Sequence, residues 1–375
     1  MERTIVIQGH FGAGNVGDEA ILASMLESLR KEAKKRSIKL SFVVLSRHPE
    51  ETTQLHGVPS VDQGGLVKGF IKHLALLKSA DLFISGGGVL KDTPYNMPPY
   101  WISRIGMAKL VGTPVMIYSW GVGPFNKPVS KAFVKWGVKR ATQVTVRNME
   151  SKKILIDLGL DGRDIQVTTD PSLTLRHAAR EKVLDIMAEY DIPSQHDTEC
   201  KGWIGVNLLP HKNRKLVKEV AAYLDFMSKN GYRVLFIPLK GDVDLKMARL
   251  IRDHMGCKEK AFILDYQGSP SELIGVFAEM SLNITMRYHG AIFSFNNLKP
   301  TIGLANEPKV GNLFKQLGQE EYLMPIDSVT KEQLAILSEA CLVKHDKKWK
   351  KIKEELEKLE GLAESTAVLA LDCLG

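Results

Sequence analysis

Cysteine is scarce in this chain. Cys200, Cys257, Cys341 and Cys373 are its only four, they lie far apart, and no two form a CxxC pair. That excludes a disulfide framework or a zinc ribbon, fits a reducing compartment, and leaves no metal site expected. No run reaches the roughly 18 apolar residues a membrane-spanning helix needs. The first residues, Met1 to Ile7, read directly as a strand, with no apolar leader, so the expected location is the cytoplasm. Short-period repeats and low-complexity tracts are also missing. The net charge is +8, yet no zinc-finger or RNP-type motif accompanies it, so nucleic acid is not an expected partner. The positive charge then belongs to an anionic ligand, an anionic membrane surface or plain solvation.

At roughly 100–200 residues per domain, 375 residues make about two domains. The first half alternates β-rich runs (4–8, 40–45, 81–85, 114–119, 143–147) with helix-like segments (20–35, 66–78). The pattern thins between 176 and 201, where the boundary is expected, and then resumes. Strands are read at 203–208, 233–238, 261–264 and 282–286, and helices at 215–230, 244–255, 272–278 and from 291. Such alternation predicts parallel sheets with crossover helices. The expected division is 1–178, 200–340 and a helical tail, 341–375. From Lys344 to Lys358 the tail holds seven lysines, with Trp349, Ile352, Leu356, Leu359 and Leu362 at helical spacing. It reads as a helix docked by its apolar stripe, its basic face either in water or against an anionic membrane surface.

Ligands of open parallel sheets collect at the carboxyl ends of the strands. The first strand runs into Gly9-His10-Phe11-Gly12-Ala13-Gly14-Asn15-Val16-Gly17-Asp18-Glu19, in which Gly12, Gly14 and Gly17 spell GxGxxG. A dinucleotide site would also need an acid after the second strand, which instead ends Leu45-Ser46-Arg47. The loop is then a tight turn capped by Asp18, or a sugar- or phosphate-binding loop of another kind. Gly86-Gly87-Gly88 with Asp92, and Trp120-Gly121-Val122-Gly123-Pro124, read as two more glycine-rich corners on the same edge. Arg147 ends a strand, and Asp170-Pro171 opens a turn. In the second half, 282–286 is followed by Arg287-Tyr288-His289-Gly290, and Lys309 comes after Pro308. A guanidinium forks onto carboxylate or phosphate, and an imidazole carries a proton near neutral pH. Gly290 lets the following helix start close to a ligand.

Taken in order, these segments resemble the polysaccharide pyruvyl transferase family. The likeness covers Gly14, Asn15, Gly17, Asp18 and Glu19; Gly86 to Gly88 with Asp92; Gly121 to Pro124; Arg147 with Ser151; Asp170-Pro171; Arg287, His289 and Gly290; and Pro308-Lys309-Val310. It implies an α/β, GT-B-like fold of two Rossmann-like domains facing a cleft. It also implies phosphoenolpyruvate as donor and no further cofactor. Arg287, Lys309 and His289 fall on the donor-handling positions, with Arg147 as a further cation. Asp18 or Glu19 is the candidate base for a sugar hydroxyl, and Gly14, Asn15, Gly17, Gly87, Gly88, Asp92 and Gly290 shape the substrate site. The cell-wall branch, which pyruvylates N-acetylmannosamine in polymers that anchor S-layer proteins, is the nearest in pattern. Its lipid-linked acceptor would place the enzyme at the inner membrane face. Tyr288 stands where many members carry leucine, and the proline-rich stretch from Asp92 to Tyr100 points to a different acceptor. Two other readings stay open: a nucleotide-sugar glycosyltransferase of the same fold, and a non-catalytic polysaccharide binder built on Tyr100, Trp101 and Trp120.

Overall fold

The computed structural model describes residues 2–65, 69–92, 98–193, 200–343 and 346–375. The chain forms two compact units. One comprises Met1–Ala13, Asp18–Leu175 and Leu359–Gly375, the other Gly14–Gly17 and Arg176–Lys358.

The first unit runs β1 (Glu2–Gln8), α1 (Val16–Lys35), β2 (Lys39–Ser46), α2 (Pro49–His56), β3 (Ser60–Asp62), α3 (Phe70–Lys78), β4 (Leu82–Gly86) and β5 (Val89–Leu90). It continues with α4 (Pro98–Leu110), β6 (Val115–Val122), α5 (Pro128–Val138), β7 (Gln143–Val146), α6 (Met149–Asp157) and β8 (Ile165–Val167). The order across the sheet is β3-β2-β1-β4-β6-β7-β8, with β5 beside β6, and the pairings are parallel. A strand covered on both faces is apolar at every position. Here successive residues feed opposite core layers. Ile5, Ile7, Leu82, Ile84, Met116 and Tyr118 pack with α1, while Val6, Phe83, Val115 and Ile117 pack with α4 and α5.

The second unit runs α7 (Arg180–Glu189), β9 (Gly202–Asn207), α8 (Arg214–Lys229), β10 (Tyr232–Phe236), α9 (Gly241–His254), β11 (Ala261–Ile263), α10 (Pro270–Glu279) and β12 (Leu282–Thr285). Then follow α11 (Tyr288–Asn296), β13 (Thr301–Ala305), α12 (Pro308–Gln316), β14 (Leu323–Pro325), α13 (Lys331–Leu342) and α14 (Asp346–Asp372). Its sheet order is β11-β10-β9-β12-β13-β14, again parallel. The helix starts are chemically marked. Asn148, Asn213 and Thr330 accept backbone N–H bonds at the caps of α6, α8 and α13, and Ser269 with Glu272 forms a capping box on α10.

The α/β, GT-B-like class of two Rossmann-like units is therefore present, with an amphipathic C-terminal helix. Three expectations change in detail. Trp120, Gly121 and Val122 are not a corner. They extend β6, because the chain after Gly88 returns as β5 and pairs Val89 with Gly121 and Leu90 with Val122. A register shift at Ser119, whose φ is +47°, lets β6 continue past the point where its apolar run breaks. The helix expected over 66–78 is observed from Phe70, and residues 66–68 lie outside the described residues. Nor is 341–375 a body of its own. α13 packs on α8, Ile352 and Leu356 are buried, and from Leu359 onward α14 belongs to the first unit.

Ala367, Ala370 and Leu371 join the core layer that holds Leu26 and Leu29 of α1. Leu371 is 2% exposed. Leu371→Ala should then cost about 2–5 kcal/mol in a denaturant titration, the usual range for a leucine truncated in a packed core. A loss under about 0.5 kcal/mol, the range of surface substitutions, would show that the last turns are not part of that core.

Candidate functional site

In each sheet the strand order reverses once, between β1 and β4 in the first and between β9 and β12 in the second. The carboxyl ends at such a reversal form the crevice where open α/β sheets take ligands. Most of the candidate residues lie at these two places or on the strand ends beside them.

In the first unit, β1 and β4 deliver Gly9–Ala13 and Gly86–Gly88. Gly87 and Gly88 have φ of +75° and +106°, which side chains rarely tolerate, so the chain can fold back there into β5. His10, which lies inside the glycine-rich motif without being one of its candidate site residues, packs against this turn. Its ring is 4.4 Å from that of Trp101, and a Cβ on Gly88 would come within 2.7 Å of it. Asp18, in the first turn of α1, reaches the same glycine, 3.6 Å from that Cβ position. His10, Gly86 to Gly88, Leu90, Trp101 and Trp120 line a small pocket. Position alone was the available signal: His10 follows a buried strand within a glycine-rich loop.

Glu19 is placed differently from Asp18. It is 7% exposed, accepts the Gly12 N–H at 2.8 Å, and its other oxygen is 2.8 Å from His56 Nε2. Those bonds hold the glycine loop against α2. Asp92 also has structural partners. It accepts the N–H groups of Asn126 (2.7 Å) and Lys127 (2.9 Å) and the Ser130 hydroxyl, so it caps α5 from a distance. Burial alone would raise its pKa; the bonds from Ser130, Lys127 and Asn126 outweigh that and hold it below the usual aspartate range. Residues 93–97 of the proline-rich stretch lie outside the described residues.

Arg147 follows β7 and is tied to Asp170 at 2.9 Å, both side chains being buried. Asp170 also accepts from the Ser172 N–H and hydroxyl. The guanidinium lies over β6 where a Cβ on Gly121 would be 2.3 Å from Nη2, so only glycine fits beneath it. The sequence marked Arg147, Asp170 and Gly121 separately, and the fold makes them one buried cluster.

In the second unit, Asn207 at the end of β9 accepts from the Thr285 hydroxyl (3.1 Å) and donates to the Ile237 carbonyl (2.7 Å), while Thr285 Oγ1 accepts the Arg287 N–H (3.0 Å). This network fixes the turn from β12 into α11. Gly290 makes room for it, since a Cβ there would meet Thr285 Oγ1 at 2.4 Å and Asn207 Oδ1 at 2.6 Å. Arg287 donates its Nε to Asp244 Oδ2 at 2.6 Å and its Nη2 to Oδ1. Asp244, 2% exposed at the start of α9, also accepts the N–H groups of Leu239 and Lys240. It takes one edge of the guanidinium and does not use the Nη1 edge. In the sequence alone Asp244 reads only as the opening of a helix. His289, in the first turn of α11, packs on Gly17, where a Cβ would be 2.0 Å from Nδ1. Asn15 Oδ1 accepts the Gly17 N–H, and Val16 N–H donates to the Leu239 carbonyl, which anchors residues 14–17 in this unit. Gly14, with φ of +63°, has open space where a side chain would be. Lys309 opens α12, 2.7 Å from Glu307, and is 38% exposed. Among the described residues no cluster of three or more His, Cys, Asp or Glu side chains could hold a metal ion.

The model of the family described as polysaccharide pyruvyl transferase matches residues 15–308. The chain is similar to the amylovoran biosynthesis protein AmsJ of Erwinia amylovora, 23% identical over 87% of this chain and 88% of that one. Among solved structures it resembles the UDP-GlcNAc 2-epimerase of Methanocaldococcus jannaschii (TM-score 0.66, 14% identity, 92% of this chain and 93% of the other). It also resembles a glycosyltransferase of Rickettsia africae (TM-score 0.58, 13% identity, 100% and 96%). At these identities the structural likeness concerns the fold alone.

Two outcomes follow from the site's geometry. Removing one partner of a buried ion pair strands the other charge, so Asp244→Ala should destabilise the protein by about 3–5 kcal/mol in denaturant melts. A loss under about 1 kcal/mol would mean that the pair is not held apart from water. Asp92→Ala should cost about 0.5–2 kcal/mol at neutral pH, as for a lost helix cap. Because Asp92 titrates below its unfolded value, its contribution is complete above about pH 4 and fades as the pH falls through the lowered value. Melts of the two proteins should therefore converge in acid, and a gap that persists there would place the loss elsewhere.

Proposed function

The chain belongs to the polysaccharide pyruvyl transferase family, and we propose that it moves pyruvate from phosphoenolpyruvate to a sugar of a surface polysaccharide. The product is a cyclic ketal, and inorganic phosphate is released. The observation that carries this reading is the placement of Arg287 and His289 directly after β12, at the strand-order reversal of the second sheet. The donor bears a carboxylate and a phosphate. The Nη1 edge of Arg287 suits one of them, and Lys309, opening the next helix, adds a second cation.

In this scheme His289 gives a proton to the methylene carbon, which leaves C2 electron-poor. A sugar hydroxyl adds to C2 and gives its proton to the donor's phosphate. The bond from C2 to the phosphate oxygen then breaks and phosphate leaves. A second hydroxyl of the same sugar adds at C2, its proton returns to His289, and the ketal closes. The acceptor class that fits the family's cell-wall members is a lipid-linked amino sugar such as N-acetylmannosamine.

Phosphate release from phosphoenolpyruvate, measured against a panel of free and lipid-linked sugars, tests the reaction. Arg287→Ala should weaken donor binding by about 2–5 kcal/mol in calorimetry, the range for truncating one partner of a desolvated charge contact. His289→Gln should lower kcat by about 10²–10⁴ with a smaller change in donor affinity, as expected for a lost general acid. A nucleotide-sugar glycosyltransferase would instead gain thermal stability from a nucleotide sugar and none from phosphoenolpyruvate, and that result would overturn the assignment.

A further inference from the structure

Three consecutive helices, α3, α4 and α5, cover the same face of the first sheet. Leu77, Ile102, Ile105, Val134 and Val138 point inward to one core layer. Their outer surface is unusual in two respects. Large apolar side chains are exposed on it: Val129 (60%), Phe133 and Trp136 follow one face of α5 at helical spacing, Leu110 (75%) ends α4, and Ile71 (83%) begins α3. These positions are continuous between the two longer helices. The Trp136 ring reaches across to α4, where a Cβ on Gly106 would meet it at 2.9 Å, and Leu110 lies one turn beyond that glycine. The second respect is charge. Segments 70–78, 98–110 and 127–140 contain no aspartate or glutamate, while Lys72, Lys78, Lys109, Lys127, Lys131, Lys139 and Arg140 are exposed there. Arg140 stacks over Trp136 at 4.1 Å. Asp92, a short way before α4 in the chain, is occupied in capping α5.

We propose that the outer face of α4 and α5, extended by α3, docks on an anionic lipid surface, with Val129, Phe133, Trp136 and Leu110 entering the headgroup layer and the surrounding lysines facing its charge. Aromatic and aliphatic side chains rimmed by lysines on a helix lying flat suit a bilayer interface. The absence of acid is what an anionic surface selects. A second copy of the chain fits poorly. A twofold contact would bring together two faces that both carry lysines and no acid, and like charges at an interface are unfavourable. The lysine-rich start of α14, the sequence's first candidate for this role, is less suited. Its apolar positions Ile352, Leu356 and Leu359 are buried in the protein, and Lys353 and Lys358 pair with Glu357 and Glu355.

The proposal does not depend on the transfer reaction, and co-sedimentation of the full chain with vesicles tests it. Binding to phosphatidylglycerol vesicles at low salt, much weaker to phosphatidylcholine, is expected. Val129→Asp with Phe133→Asp, both at exposed positions, should reduce it by at least about tenfold. Lys131→Gln with Lys139→Gln should reduce it too, while Lys350→Gln with Lys351→Gln should not. Thermal melts of each variant confirm that the fold is kept. Four results would overturn the proposal: no binding at low salt, equal binding to both lipids, loss only with the α14 pair, or a self-association removed by the α5 variants. Retention by nucleic acid or an acidic protein without any vesicle binding would overturn it as well.

Discussion

In the proposed role of Arg287 as a fork for an anion, something else must hold the guanidinium still. Asp244 does this, with two bonds to the guanidinium and two more from the backbone at Leu239 and Lys240. The same carboxylate thus ties the turn before α9 to the turn after β12. A free arginine on a strand end would lose rotamer entropy each time it bound a ligand. Here that cost is met in folding. The cost is electrostatic instead, since Asp244 cancels part of the charge that would attract an anion. A second cation, Lys309, fits that constraint, and its own neighbour Glu307 leaves it more exposed than Arg287.

Close backbone approach is the companion constraint. His289 stacks on Gly17 and Arg147 on Gly121, and in both cases a single methyl group would overlap the polar side chain. These glycines are therefore positioning elements as much as turn formers. Arg147 follows the logic of Arg287. A buried carboxylate, Asp170, fixes the guanidinium, and that carboxylate is itself held by Ser172. Each unit thus sets a carboxylate-braced arginine just beyond the carboxyl end of a strand, the edge where the fold gathers ligands.

Much of this was legible beforehand, for identifiable reasons. Strands such as β1, β4 and β9 are buried on both faces, so they show as largely apolar runs. Strands β3, β5 and β14 are two or three residues long and give no such signal. In sequence β6 ends at Ser119 because Gly121 and Gly123 read as a corner, and its continuation depends on β5, a strand that exists only through pairing. Arg287 and His289 could be read because they adjoin a strand end. Asp244 could not, since it lies 43 residues from Arg287 and sits where an acid normally opens a helix. Glu19 and Asp18 look equivalent in sequence, and only the fold shows that one of them is bonded to Gly12 and faces His56.

The tail shows why periodicity alone does not decide between docking and surface binding. Helix α14 and helix α5 both carry apolar residues at helical spacing among lysines. In α14 the apolar side is consumed by packing: Ile352 and Leu356 are buried, and Ala367, Ala370 and Leu371 complete the layer against α1. Its glutamates also answer several of its lysines. In α5 the sheet takes only Val134 and Val138, so the stripe of Val129, Phe133 and Trp136 is left over. A helix with one apolar face can be used once, whereas α5 has two, one for the core and one outward. That second face, on a surface without acid, is the feature of this chain that packing within the described residues does not account for.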